Sequence, residues 1–378
     1  MVDTNWPTRT LFPNVGSVYS FENNDNAWSS LQQFTGRGSD YLGIKYEWDK
    51  NVWGRIAQTT ALLYLSTGFQ YYKHETAHEM FDGEPKFGID ITDWHFIDGL
   101  SPFPYPVYTR KPEPAEPKKF NPYVAGLNSD EYTSFTTWRR CMLRRERAFD
   151  VSLYFLIHKL EDAQYFIFSE IYSYDEEKPL SSDPDTYIYK LNKRGIKLDK
   201  DAYGWQIAVS DLFSWYVGES IYSLANYLIR GRRNDRTASL SLTDNVAITP
   251  PLTNLYLTEK GSFFNISTWL YLGGNSLEFS TGVDSDFIGG RLDTMRFGAS
   301  YYGLKFDPVE VNPFAALNVE RSTFGYKGFS SGLEVLLNVT PSAAVRAKLE
   351  YNRDDVLENT VKGEPNGANL ILGINVKI

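Results

Sequence analysis

The sequence predicts an all-β protein, an antiparallel up-and-down transmembrane β-barrel of about 12–14 strands. Three observations lead there. Apolar and polar residues alternate with period 2 through consecutive segments after residue 260. Short turns and longer polar loops fall mostly on opposite ends of those segments. No stretch of the chain reaches about 18 consecutive apolar residues, so a membrane crossing would have to be made by strands.

In order from residue 261, the apolar positions are Phe264, Ile266, Leu270 and Leu272, then Leu277, Phe279 and Val283, then Met295, Phe297, Ala299 and Tyr301. Ala315, Leu317 and Val319 continue the series, followed by Leu333, Val335, Leu337 and Val339, by Val345, Ala347, Leu349 and Tyr351, and by Leu370, Leu372, Ile374 and Val376. Polar residues stand between them, so each segment has one apolar and one polar face. The same alternation runs through 61–72 and 149–157, and more weakly through 41–48, 164–174, 204–212 and 215–230. Residues 1–40 read as an irregular leader to a barrel over 41–378. A short strand is expected at 87–93. The Pro-rich stretch 98–136 reads as a stiff loop insertion able to act as a lid or plug.

A soluble sandwich also alternates, its apolar faces buried between two sheets. Lipid is favoured because aromatic residues crowd strand ends, as at Tyr71-Tyr72 and Tyr301-Tyr302, and because charges stand at mid-strand on the polar faces. The chain ends on Gly373, Val376 and Ile378, a spacing that resembles the C-terminal tail of Gram-negative outer-membrane barrels, without their terminal aromatic residue. That resemblance implies the outer membrane of a Gram-negative bacterium, with its lipid as the immediate partner.

Composition narrows the function classes. The chain has 378 residues and a net charge of −9, with no basic stripe to neutralise phosphates, so nucleic acid is not an expected partner. A single cysteine, Cys141, can form neither an internal disulfide nor a cysteine-based metal centre. Met1 is followed directly by Val2-Asp3-Thr4-Asn5, which fits a cytosolic chain or a mature exported chain restarted with methionine.

A polar lumen makes passive passage of small polar or ionic solutes the leading functional expectation. Its lining would be Arg140, Arg144, Asp150, Glu278, Arg296, Glu320, Glu334, Arg346, Lys348 and Glu350. No catalytic residue and no cofactor is required by that reading. A closed-lumen barrel that binds partners through its long loops is the alternative.

His74-Glu75-Thr76-Ala77-His78 fits H-E-x-x-H and supports a third reading, a zinc hydrolase with His74 and His78 as ligands and Glu75 as base. The motif needs a helix. On the strand that the preceding alternation predicts, the two histidines would lie about 13 Å apart, too far to share one ion. Third ligands could come from Glu84 or His95. Gly-x-Ser-x-Gly and the phosphate-binding Walker motif are both missing from the sequence.

Residues Lys73 to Asp82 are also similar to the His-x-Ser-x-His and acidic motif of an outer-membrane family, domain of unknown function 1207. In that family the motif tops a barrel strand and precedes a strand bearing Arg-Glu, as Arg145-Glu146 would here. This sequence has Thr76 in place of the serine, Phe81-Asp82 in place of Gly-Asp, and the Pro-rich insertion. The resemblance implies location and fold, with no activity attached.

Overall fold

A computed structural model describes residues 9–10, 21–81, 94–96, 104–106, 124–171, 183–198, 200–258, 260–285, 294–320, 323, 325–340, 343–357 and 366–376. Helices dominate its first part: α1 (Phe21–Lys45), α2 (Val52–Phe81), α3 (Ala125–Arg144), α4 (Phe149–Lys159), α5 (Glu161–Ile171), α6 (Asp183–Lys193), α7 (Lys200–Ile207) and α8 (Trp215–Arg230). A π-helical turn, Ala208–Leu212, follows α7. Short strands accompany them: β1 (Arg9–Thr10), the pair β2 (Trp94–Phe96) and β3 (Pro104–Pro106), and the pair β4 (Glu146–Ala148) and β5 (Asn234–Arg236).

The remaining strands are β6 (Leu240–Thr243), β7 (Val246–Ile248), β8 (Leu252–Thr258), β9 (Gly261–Leu272), β10 (Asn275–Ser285), β11 (Thr294–Tyr302), β12 (Leu304–Phe306), β13 (Val309–Glu320), β14 (Tyr326–Thr340), β15 (Ala343–Arg353) and β16 (Gly367–Val376). With β1 they form one 12-stranded sheet in the order β1-β16-β15-β14-β13-β11-β10-β9-β7-β6, with β12 on β13 and β8 on β9. Every pairing is antiparallel, and β9 to β16 form a meander. Leu272 pairs with Asn275 across Gly273-Gly274, a two-residue hairpin turn in which Gly273 takes φ 61°.

The seven alternating segments after residue 260 are therefore strands, and their faces are as expected. Register places Trp269, Glu278 and Ser300 side by side, with Arg296 opposite Asn318 and Glu334 opposite Lys348. These polar positions face inward. Phe279, Phe297, Leu317, Leu333, Val345, Leu349 and Leu370 face outward and are exposed.

Three expectations are corrected. The sheet is not closed into a barrel: its end strands β1 and β6 do not pair with each other. The protein is not all-β, because the stretches 61–72 and 149–157 are α2 and α4. The weaker segments 41–48, 204–212 and 215–230 likewise fall in α1 and the turn after it, α7 with its π turn, and α8, and 164–174 falls in α5 as far as Ile171, its last three residues lying outside the described ones. Residues 21–40 are helical, and the part of 98–136 from residue 125 onward is α3. Most of the Pro-rich run and the strand expected at 87–93 lie outside the described residues.

The physical reason lies in which residues face inward. In α2 the buried stripe is Arg55, Gln58, Leu62, Ser66, Gln70, Lys73, His74 and Ala77, spaced at helical intervals and mostly polar. Its Val52, Trp53, Ile56, Leu63 and Leu65 are exposed. A search for an apolar stripe misses a helix whose inward stripe is polar. α4 is apolar and buried on nearly every side, a pattern that periodicity alone cannot tell from a strand.

The helix α3 sits at the centre. Residues Ala125 to Trp138 are all buried, although Asn128, Ser129, Asp130, Glu131, Thr133, Ser134, Thr136 and Thr137 are polar. It packs on β8 and β9: the Asn128 side chain donates to Leu257 O at 2.9 Å, and the Phe135 and Trp269 rings lie 6.4 Å apart. Apolar packing is concentrated around Trp138, which meets Phe155 and Tyr216 at ring separations of 4.7 and 4.8 Å. Gly231 ends α8 in the left-handed region at φ 69°, where a side chain would collide with Asp49 O.

Trp138 ties α3, α4 and α8 together, so Trp138→Ala is expected to cost about 3–5 kcal/mol of stability. Denaturant unfolding followed by tryptophan fluorescence measures it.

Candidate functional site

Five helices and no strand build the most chemically loaded place in the molecule. His74 comes from the inward stripe of α2, Asp130 from α3, His158 from the last turn of α4, Glu161 from the first turn of α5 and Asp183 from the first residue of α6. Pro184, next after Asp183, suits a first helical turn, where its missing N–H needs no partner. Acidic residues at the starts of α5 and α6 also suit the positive ends of those helices.

Asp130 is fully buried and serves two histidines. Its Oδ2 lies 2.8 Å from His74 Nδ1, and its Oδ1 lies 2.6 Å from His158 Nδ1. The Gln70 amide donates to the same Oδ2 at 3.1 Å. His74 Nε2 is 3.0 Å from Asp183 Oδ2, and the Asp183 side chain is 16% exposed, so the relay runs from the interior toward the surface. At its inner end Gln32 of α1 donates to Ser66 O at 3.2 Å and lies 3.4 Å from His158 Nε2. Tyr165 stacks on the His74 ring at 5.3 Å. On the other side, any side chain larger than hydrogen at Gly126 would run into the imidazole.

Both nitrogens of His74 face carboxylates, and two such hydrogen bonds require both to carry protons. Burial opposes that charge, but the hydrogen bonds and charges of Asp130 and Asp183 overcome it and hold the imidazole well above its usual pKa. Burial likewise opposes the Asp130 charge, and the two histidines outweigh it, keeping that carboxyl below its ordinary range. Burial together with the Asp130 charge pushes Glu161 up to about 8. The two carboxylates thus favour the charged imidazole and hold its protons, with Asp183 on the side nearest the surface.

A second cluster adjoins it on the same helices. Lys159 donates to both oxygens of Glu131 at 2.8 Å and lies 3.0 Å from Asp211 Oδ1, and Asp162 completes the group.

The residues expected to line a lumen are distributed differently. Glu278, Arg296, Glu334, Arg346, Lys348 and Glu350 do share the inward face of the sheet. They are engaged there: Arg296 Nε lies 3.1 Å from Asp355 Oδ1, Arg346 pairs with Glu334, and Lys348 with Glu350 at 2.6 Å. Arg139 of α3 lies within electrostatic reach of Glu278 and Glu334. Glu320 is exposed at the end of β13, 3.5 Å from Lys327.

Arg140, Arg144 and Asp150 are not strand residues. They belong to the end of α3 and the start of α4, and Asp150 lies against Gly36 of α1. Of the zinc motif, His74 and His78 stand on a helix after all, one turn apart. The side chains of Glu75 and His78 lie outside what the structure describes, as do Glu84 and the whole Phe81-Asp82 end of the resemblance beyond Phe81. His95 is in β2. Arg145-Glu146 spans the end of α3 and the start of β4, not a meander strand, and Arg145 reaches the meander from there: it donates to Gly273 O and lies 4.3 Å from the centre of the Tyr271 ring.

Sequence reasoning found His74 and passed over Asp130, His158, Glu161 and Asp183. One signal was available: Asp130-Glu131, His158-Lys159 and Glu161-Asp162 are adjacent ionisable pairs, the last two beside the apolar stretch 151–157.

The sign of the His74 shift fixes a pH dependence. Its stabilisation is complete below the unfolded value of about 6.5 and is lost as pH rises through the higher folded value. The melting temperature is expected to fall as pH rises above about 6.5, and to fall less steeply in His74→Asn; equal slopes in a thermal scan would remove His74 as the cause. No family model matches the chain, and neither a curated protein nor a solved structure matches it.

Proposed function

We propose that this is a membrane-seated protein of the outer-membrane type with a filled interior, whose working chemistry is proton donation by His74 rather than open passage of solutes. The observation that carries the reading is the inversion of the molecule. The meander turns Glu278, Arg296, Glu334, Arg346 and Glu350 inward and leaves Phe279, Phe297, Leu317, Leu349 and Leu370 exposed. Water penalises that arrangement by about 1.5–3 kcal/mol for each large apolar side chain left uncovered, and lipid removes the penalty. The helices repeat it, with Tyr41, Tyr46, Trp48 and Trp53 exposed around the α1–α2 corner and Trp205, Phe213, Trp215 and Tyr222 around α7 and α8. Tryptophan and tyrosine in such positions suit the boundary between headgroups and water. None of the described helices is long and apolar enough to cross a membrane.

The filled interior follows from α3 lying against the sheet with Arg139 near two of its carboxylates. Passive conduction, the other reading, draws on the same polar face. Against it, the charges expected to meet solute instead pair with one another.

Two measurements test the proposal. Leu349→Arg, on the exposed face of β15, is expected to cost about 2–4 kcal/mol of folding free energy in lipid vesicles. A change within about 0.5 kcal/mol, as at an ordinary watery surface, would overturn the lipid contact. In planar bilayers the folded protein is expected to give no stepwise openings; openings of porin size would establish the conducting reading instead.

A further inference from the structure

The second cluster is built from the next residue of the same helices. Glu131 follows Asp130 on α3, Lys159 follows His158 on α4 and Asp162 follows Glu161 on α5, while the π turn adds Ser210 and Asp211. One ligand oxygen from each of Glu131, Asp162 and Asp211 lies within 4.8 Å of the others, and all three residues are at most 1% exposed.

Lys159 satisfies only part of the group. Its ammonium donates to Glu131 and, at 3.1 Å, to Ser210 Oγ, and it lies beside Asp211. Asp162 is left over: neither of its oxygens receives a hydrogen bond among the described residues. Among the described residues, Asn254 Oδ1, the Tyr203 hydroxyl and both Asp211 oxygens also receive no hydrogen bond, although Asp211 Oδ1 faces Lys159, and Tyr203 lies within electrostatic reach of Asp162, Asp211 and Glu131. Asn254 is fixed by donating its amide to Glu131 Oε2 at 2.6 Å. Three carboxyl groups share one ammonium in a dry interior, and a dication would meet the oxygens that Lys159 does not reach.

We propose that Glu131, Asp162 and Asp211 hold a single hard divalent cation of the magnesium, calcium or manganese kind. An all-oxygen donor set selects that class over zinc or copper. Metal–oxygen distances of about 2.0–2.6 Å place opposite ligands about 4–5 Å apart, which the cluster spans. A π-helical turn that delivers Ser210 and Asp211 is a device found often at functional sites. The cation site shares helices with the His74 centre but no residue, so metal binding and the His74 pH dependence are read through different substitutions.

The test uses the full chain in detergent, stripped with EDTA and titrated with Mn2+, with free Mn2+ read by electron paramagnetic resonance. The expected result is one Mn2+ bound per chain and displaced by Mg2+ or Ca2+. Affinity should fall at least about tenfold in Asp162→Asn and stay unchanged in Glu320→Gln, which alters an exposed carboxylate. Wild type that takes up no Mn2+, or an Asp162→Asn protein that binds as well as wild type, overturns the proposal. Should Asp162→Asn fail to fold, Asp211→Asn makes the same comparison. A rise in the wild-type melting temperature on adding Mg2+, Ca2+ or Mn2+ reads the site with no variant at all, and no rise with any of the three counts against it.

Discussion

A helix that buries Asp130 and Glu131 side by side dictates what may surround it. Taking such groups out of water is expensive, and the cost is recovered only through hydrogen bonds and opposite charge supplied at close range. The neighbours of α3 supply them in turn. α2 brings Gln70 and His74, α4 brings His158 and Lys159, and β8 brings Asn254. Lys73 donates to Ser129 O at 2.6 Å and to Thr133. The positions of the helices are thus set as much by polar satisfaction as by apolar packing, which is confined to a few clusters such as the one around Trp138.

The sheet answers to the same constraint from the other side. Arg296 is held by Asp355, which also receives the Asn318 amide and the Ser330 hydroxyl, each at 3.1 Å. Such a face needs a polar or wet neighbour, and α3 with Arg139 is one. With the inside polar along β10, β11 and β13 to β16, the apolar half of those strands has only the outside to go to, whereas β8 and β9 still bury Leu255, Leu257 and Trp269 against the helices.

That inversion explains how much could be read from the sequence. The meander was legible because period 2 survives whichever face is inward: Leu349 and Lys348 alternate equally well in a sandwich or a barrel. The helical half was hidden because its apolar residues mark the wrong face. In α2 the spacing of Leu63, Leu65 and Phe69 mimics a strand, while the informative residues are Gln58, Leu62, Ser66 and Gln70 at helical intervals. Closure of the sheet was likewise beyond reach, since strand count and turn length do not say whether the first and last strands meet. At the site, His74 was legible through a motif written for another chemistry. Its actual partners, Asp130 and Asp183, are 56 and 109 residues away, and no local pattern joins them.

The two buried clusters take adjacent residues from α3, α4 and α5, and adjacent residues on a helix cannot be turned independently. Rotating any of these helices to relieve one cluster displaces its contribution to the other. A cation in the proposed Glu131–Asp162–Asp211 site would thus act on the same three helices that hold the His74 centre, and any coupling free energy between the two would be carried by those helices. By linkage it must act with equal size in both directions, without any residue common to the two.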